Sequence, residues 1–358
     1  GGGNLAAYEP TDESTKLATV IIDGCDLTSI RQVYGGGNAA STPATQVVIN
    51  GTYEIEEVFG GGNGKDRISR DGGSTWLDNP GANVGYKDYS AYETSTDEAT
   101  GAATKALRES NYSYGSGEAT VNIHGGLIHR VFGGSNTKGN VRVTAVTMLE
   151  DLGGCHFLVD EAYGGGKSAS MDAEAVLHMA CIPGLSAAYG GAEAADIRGD
   201  VTLTITNGTF DQVFGGNNIS GTIAGVINVN IEETGCKPVI IGELYGGGNQ
   251  APYSGHDGSG PTVNVRSFTS IGDIYGGGYG HTAIVTGNTT VNINVSEGKY
   301  KDRVIGENAT TETIRKNDAE AEGGYPVPSH AEGKIGSINN VYGGGNAADV
   351  VGNTTDRK

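Results

Sequence analysis

One nine-residue motif, repeated nine times, constrains this chain more than any other feature. Each copy sets an aromatic before two glycines: Tyr34, Phe59, Phe132, Tyr163, Tyr189, Phe214, Tyr245, Tyr275 and Tyr342. An apolar residue stands one position earlier (Val33, Ala162, Leu244) and another four positions earlier (Ile30, Phe210, Ile338). Four positions after the aromatic, six of the nine copies carry Asn: Asn38, Asn63, Asn136, Asn218, Asn249 and Asn346. The consensus is Φ-x-x-Φ-[YF]-G-G-small-N, and a fixed internal period of this kind is the signature of a repeat architecture.

The aromatics follow one another at intervals of 25, 73, 31, 26, 25, 31, 30 and 67 residues. The short intervals define the unit, and the two long ones mark insertions. Between motifs lie segments of strict apolar alternation: Val121-Asn122-Ile123, Val201 to Ile205, Ile227 to Ile231 and Val291 to Val295. Such a period of two reads as a strand with one buried face. Gly-Asn or Gly-Asp often opens these segments, as at Gly199-Asp200 and Gly287-Asn288, which is turn chemistry. No long helix-period segment accompanies the repeats. Propeller blades need longer units, and no leucine-rich signature is present. The expectation is an all-β chain, a right-handed parallel β-helix (β-solenoid) of about ten stacked coils. Stacking would place each Val and Ile on its equivalent about 4.8 Å away. The Asn positions would then form an amide ladder between coils.

Composition narrows the function. The chain has 62 Gly among 358 residues without a three-residue period, which excludes collagen. Its net charge is 23 − 42 = −19, with no basic block, which argues against nucleic acid or an anionic membrane as partner. No apolar run is long enough for a transmembrane helix. Gly1 to Asn4 repeats the GGGN of Gly35 to Asn38, and Gly352 to Thr355 repeats the GNTT of Gly287 to Thr290. The chain thus starts and stops in mid-repeat, so flanking repeats of a longer chain are expected as its neighbours.

The VYGGGN-type repeats resemble the glycine-rich right-handed parallel β-helix surface proteins, described as adhesins, of Bacteroidetes-type gut bacteria. The resemblance covers nearly the whole chain outside the insertions. It implies an extracellular or cell-surface location and a non-catalytic attachment or scaffold role. It brings no defined binding residues.

Residues 1–358 are expected to form a single solenoid with insertions at 64–117 and 296–334. The first insertion holds the lone Trp, Trp76, with Tyr86, Tyr89, Tyr92, Tyr112 and Tyr114, and these six are the candidate ligand-binding residues. Aromatics on an irregular segment suit carbohydrate recognition. A competing reading hides one or two degenerate coils here, with the aromatics covering an edge. A helix-compatible run spans Asp97 to Glu109. The second insertion reads as a solvated loop. If Val33 and its equivalents point inward, alternation turns the repeat aromatics outward. They then form either a sugar-stacking stripe or a half-buried ladder that stabilises stacking. Phe at three of nine positions makes the hydroxyl dispensable and favours the ladder.

Other chemistry is sparse. Gly61 to Ser69 matches a calcium nonapeptide, but alone, whereas that chemistry needs tandem copies; overall acidity leaves weak calcium binding open. No zinc motif is present and no other cofactor is implied. Cys155 and Cys181 both precede their aromatic by eight residues, so they are expected on adjacent coils within disulfide reach. A bonded pair and a ladder of small apolar residues are both open. Cys25 and Cys236 share a nine-residue offset but lie too many coils apart to bond to each other. Asp160, Asp211 and Asp273 lie near the coil aromatics without a convergent acid–base set, and Asp200 and Asp257 beside His256 are isolated, so no catalytic residues are assigned. The expected function is a non-catalytic adhesin or stalk segment whose first insertion recognises a host or bacterial glycan or surface protein. The alternatives are a polysaccharide-binding or polysaccharide-degrading enzyme on the same scaffold, and a plain spacer.

Overall fold

The computed structural model describes residues 1–8, 10, 16–25, 27–64, 67–68, 74, 77–78, 82–85, 92–96, 103–107, 114–151, 154–234, 236–293 and 336–357. Among them there is no α-helix, and two large parallel sheets dominate. Sheet A stacks β1 (Ala18–Ile22), β3 (Thr45–Ile49), β9 (Glu118–Ile123), β11 (Val143–Met148), β13 (Ala175–Met179), β15 (Val201–Ile205), β17 (Ile227–Glu232), β19 (Tyr253–Ser267) and β21 (Val285–Ile293), and ends in β23 (Val350–Val351) and β24 (Thr354–Arg357). Sheet B stacks β2 (Ser29–Tyr34), β4 (Glu54–Phe59), β10 (Gly126–Phe132), β12 (Phe157–Tyr163), β14 (Gly184–Tyr189), β16 (Gly208–Phe214), β18 (Val239–Tyr245), β20 (Ser270–Tyr275) and β22 (Ser337–Tyr342). The chain alternates between the sheets, so the arrangement is consistent with a β-solenoid. Each sheet B strand, with its preceding sheet A strand and following turn, makes one rung.

The alternating segments are the sheet A strands. Val201, Leu203 and Ile205 are fully buried and stack in register on Ile227, Val229 and Ile231. Their outward neighbours form an amide ladder, with Asn264 donating to Asn230 at 3.0 Å and Asn292 to Asn264 at 2.9 Å.

Sheet B behaves differently. Both apolar motif positions face the same core: Val159 with Ala162, and Ile241 with Leu244. They lie three positions apart, an odd step that strict alternation cannot make. Each strand therefore turns two consecutive residues outward between them, as Asp160 and Glu161 are in β12. The register steps from Ile128↔Val159 to Arg130↔Glu161. Every rung so presents two adjacent positions on one face, polar in most rungs.

The aromatics leave the main core, as alternation requires, yet six of the nine are buried, and Tyr34, Tyr275 and Tyr342 near the ends of the stack are less so. Phe59, Phe132, Tyr163 and Tyr245 are fully buried in a cluster of their own. All nine rings stack, with successive centroids 4.7–5.1 Å apart and planes within 13°. The aromatic stripe is a structural ladder with a second, narrow core. Each stacked pair adds about 0.5–1.5 kcal/mol beyond the area it buries. The glycines that follow serve close approach: a Cβ on Gly133 would collide with the Gly164 carbonyl of the next rung.

The disulfides correct the cysteine pairing expected from the repeat. Cys155 bonds Cys25, and Cys181 bonds Cys236, with Cα atoms 5.1 and 5.8 Å apart. Cys155 and Cys181 do not bond each other. Counting back from the aromatic ignores the corner between the sheets, whose length varies. The corner from Met148 to Phe157 is long, whereas the one from Ile123 to Gly126 is a tight two-residue turn. Long corners fold over the intervening short ones. A Cβ on Gly51 would collide with Cys155 Sγ, so glycine makes room for that bridge.

Insertion 1 contains no further strand of either large sheet among its described residues. It carries two antiparallel pairs instead, β5 (Arg67–Ile68) with β6 (Leu77–Asp78) and β7 (Tyr92–Thr96) with β8 (Ala103–Leu107). Within the helix-compatible run 97–109, residues 103–107 pair as a strand instead. Thr104 and its neighbours lack the long apolar stripe that would hold a helix against the body. Between the two pairs the chain returns to the body. Ala82, Asn83 and Val84 are buried, Val84 bridges Thr42, and its amide donates to the Asn140 carbonyl at 2.9 Å. Ala82–Gly85 thus belongs to the body and divides the insertion into 65–81 and 86–113. Insertion 2 (296–334) lies outside the described residues.

Candidate functional site

The double outward step in sheet B builds two rows of side chains across the rungs. The row two positions before the aromatic reads Gln32, Glu57, Arg130, Glu161, Ala187, Gln212, Glu243, Asp273, Asn340 in register. The row before it brings Arg31, Glu56, His129 and Asp160 onto the same face. From these rows Arg31, Glu56, His129, Arg130, Asp160 and Glu161 line, with Tyr163, Glu193 and Asn218, an open groove of about 840 Å³ that crosses several rungs.

In the groove, His129 sits between two carboxylates. Its Nδ1 lies 2.7 Å from Asp160 Oδ2 and its Nε2 3.0 Å from Glu54 Oε1. These two hydrogen bonds hold the imidazole above its ordinary pKa, against a small opposing effect of burial. Asp160 and His129 come from different rungs and a spacing of 31 residues, so their meeting depends on register.

Beneath Arg130, Glu57 is 2% exposed and accepts from Arg130 and from Lys167 Nζ, the latter at 2.7 Å. Gln32 also donates to it at 2.7 Å. Burial alone would push the Glu57 carboxyl up, but Lys167, Gln32 and the Arg130 charge outweigh it and hold the group below its usual range. Arg130 also donates to Glu193 Oε1 at 3.0 Å and lies over the Phe132 ring. Glu193 is shifted the other way, pushed up by burial that Arg130 and Lys167 only partly offset.

Lys167 and Glu193 occupy the position that is Asn in most copies of the motif. Elsewhere that Asn binds its equivalents: Asn38 donates to Asn4 at 2.7 Å, Asn63 to Asn38 at 2.7 Å, Asn136 to Asn63 at 2.9 Å and Asn249 to Asn218 at 2.9 Å. The expected amide ladder therefore exists in two pieces, and the charged network fills the gap. Asn side chains also cap ring hydroxyls from further along the stack, Asn136 on Tyr34, Asn218 on Tyr163 and Asn346 on Tyr245.

Of the six candidate ligand-binding aromatics, Trp76, Tyr86, Tyr89 and Tyr112 lie outside the described residues. Tyr92 is placed at the start of β7, paired with Leu107. Tyr114 has a structural part: its hydroxyl donates to the carbonyls of Tyr8 and Ser41, tying the N-terminal segment to the body. The structure brings none of the six together among the described residues. Gly61, Gly62 and Gly64 of the calcium match pack against Ser135, Ala82 and Lys138. Among the described residues no group of three or more His, Cys, Asp or Glu side chains is arranged to hold a metal. Asp273 accepts from Asn340 at 2.8 Å, and Asp200 from the Val226 amide at 2.9 Å.

The groove residues His129, Arg130 and Glu193, and Lys167 of the network behind them, were not singled out from the sequence. The signal for two of them was present: Lys167 and Glu193 stand where the motif has Asn. Comparison with protein-family models, with curated proteins and with solved structures finds no match.

Proposed function

We propose that this protein is a non-catalytic, surface-exposed or secreted bacterial repeat protein, an adhesin or stalk segment. Its scaffold is a right-handed β-solenoid of about ten coils, the hand that parallel crossovers take. The observation that carries the reading is the aromatic ladder, whose nine rings stack without interruption across the insertions. Such a body is a stiff rod that holds inserted segments at fixed places along one side. Two disulfides between rungs suit an oxidising, extracellular setting. No helix of the described residues is long and apolar enough to cross a membrane. The non-catalytic part of the reading is supported by the groove chemistry: both His129 ring nitrogens are already engaged by carboxylates.

Glycan recognition is assigned to insertion 1, to the segments 65–81 and 86–113 on either side of the body stretch Ala82–Gly85. Binding to a glycan array tests this. The full chain is compared with variants in which 65–81 or 86–113 is replaced by a short Gly-Ser linker. Residues 82–85 and Tyr114 are kept, because they belong to the body. Binding that disappears with either replacement is the expected result. Binding unchanged in both variants would remove recognition from the insertion, and no binding by the full chain would leave a stalk.

A further inference from the structure

The outer face of sheet A differs in charge from the rest of the molecule. Two residues in the middle of each strand point outward, and the strands from β3 to β21 stack them in two rows. One row runs in register from Gln46 to Thr290 and the other from Val48 to Asn292. Neither row contains an Asp, Glu, Lys or Arg, and most of the members are Thr or Asn. His178 stands in the second row, where burial holds its imidazole below the ordinary pKa, so its place is uncharged at neutral pH. Sheet B is the opposite case, with Glu56, Asp160, Asp211 and Asp273 on its outer face. Beside sheet A, charge stands only at the rims. Glu118, Glu174 and Asp200 precede the outward pair of their strands, Glu232 follows that of β17, and all four are exposed. Among the described residues no other strand packs across this face.

We propose that the outer face of sheet A is an interface on which a second copy of this chain docks by the same face, giving a closed two-fold dimer. Charge selects the face. The chain carries a net −19, so two copies repel through any surface that displays its acids, and they meet at least cost through one that displays none. A neutral centre with a charged rim is also the anatomy of a protein interface. The side chains select the partner. Parallel strands in register, with stacked small polar residues and an Asn ladder, mate with an identical sheet because like side chains interdigitate between the two. In the second row Asn264 donates to Asn230 and Asn292 to Asn264, so amide groups are already paired within the face, which lowers the cost of drying it. The area suffices. Strands about 4.8 Å apart, rising about 3.3 Å per residue, make the stretch from β3 to β21 about 34 Å long and 16 Å wide. Two such faces cover about 1,100 Å² in all, just above the roughly 1,000 Å² that a specific interface must clear. The same patch serves on both copies, so the association closes at two.

The dimer is independent of insertion 1 and of any glycan, so its test is the state of association. Sedimentation equilibrium is run on the full chain, at low and at high salt and up to millimolar protein, and repeated on three variants. Thr204→Lys and Thr262→Lys each place a charge on the sheet A face, on different strands, and Ser186→Lys places one on the outer face of sheet B. Each variant changes the net charge by the same amount, so a general effect of charge would act on all three alike. Thermal unfolding confirms that each is folded. The expected result is a monomer–dimer equilibrium that salt strengthens, because screening relieves the repulsion between two acidic chains. Thr204→Lys and Thr262→Lys should each weaken it about tenfold or more, since two-fold pairing brings two lysines into one neutral interface. Ser186→Lys should leave it unchanged. A monomer under all conditions overturns the proposal. So does a dimer indifferent to both sheet A substitutions, or growth past two into open chains, which would place the contact at the ends of the stack. Binding of a neutral oligosaccharide to a monomeric chain, removed by Thr204→Lys, would give the face to a glycan and likewise overturn the dimer.

Discussion

Two stretches of the same ladder solve the same capping problem differently. From Tyr34 to Phe132 the turn after each ring carries Asn, and Asn38, Asn63 and Asn136 bond one another in sequence. Their polar groups are consumed in stacking, and little is left for anything else. Over Tyr163 and Tyr189 the same position carries Lys167 and Glu193. These side chains reach back to Glu57 and Arg130 of earlier rungs and make no amide ladder. Chemistry collects where the repeat departs from its consensus, because a position relieved of stacking is free to hold a charge. The backbone is indifferent to the exchange: Lys167 and Glu193 still donate their amides to Ser135 and Gly166 as Asn136 donates its own to Gly62.

The largest effect that sharpens this comparison comes from the ladder that both stretches share. Phe132→Ala removes a fully buried ring with stacked neighbours on both sides and should cost about 3–5 kcal/mol. Tyr342→Ala, at the exposed end of the stack, should cost under about 1 kcal/mol. Urea unfolding of both variants checks the pair, and equal costs would mean that the rings do not act through burial.

Glu57→Gln comes next. It leaves Arg130 and Lys167 without their shared counter-charge in a partly buried place and should destabilise by about 2–4 kcal/mol. The pH dependence follows from the carboxyl's lowered pKa. Its stabilisation is complete above the unfolded carboxylate value and is lost as the pH falls through the folded one. The wild type should thus lose stability in acid more steeply than Glu57→Gln. Thermal unfolding from neutral pH down to the carboxylate range measures the difference, and parallel curves would sink the assignment.

The smallest effect breaks the comparison itself. Lys167→Asn with Glu193→Asn restores the consensus through both rungs and should join the two amide ladders from Asn136 to Asn218. Glu57 and Arg130 keep each other, so stability should change by about 1 kcal/mol or less. Amide hydrogen exchange should show the turns after Tyr163 and Tyr189 protected like those after Phe59 and Phe132. A fall of several kcal/mol would show that the charged network, rather than the stacking position, holds this stretch.

Much of the scaffold was legible in the residues. The motif and the alternating segments located sheets A and B, since a period of two with stacked equivalents leaves few other solutions. The aromatic ladder was legible from the Phe substitutions, which make a hydroxyl dispensable. The inward positions four and one before the aromatic also carried a signal, because an odd step implies two adjacent outward residues. Asp160 was noticed as one such residue, but its partner was not. His129 meets it only through the register of β10 on β12, with 31 residues between them.

The sequence by itself determined the repeat, the two strand types and the stacking of like on like, because each of these depends on spacing within one unit. The tertiary structure decided everything that depends on which units become neighbours and how far a corner reaches. The cysteine partners, the return of insertion 1 to the body at Ala82 to Val84, and the meeting of Glu57 with Lys167 110 residues later are all of this kind. Variable corners and insertions shift sequence distance without shifting position in the stack, and side-chain chemistry follows the stack.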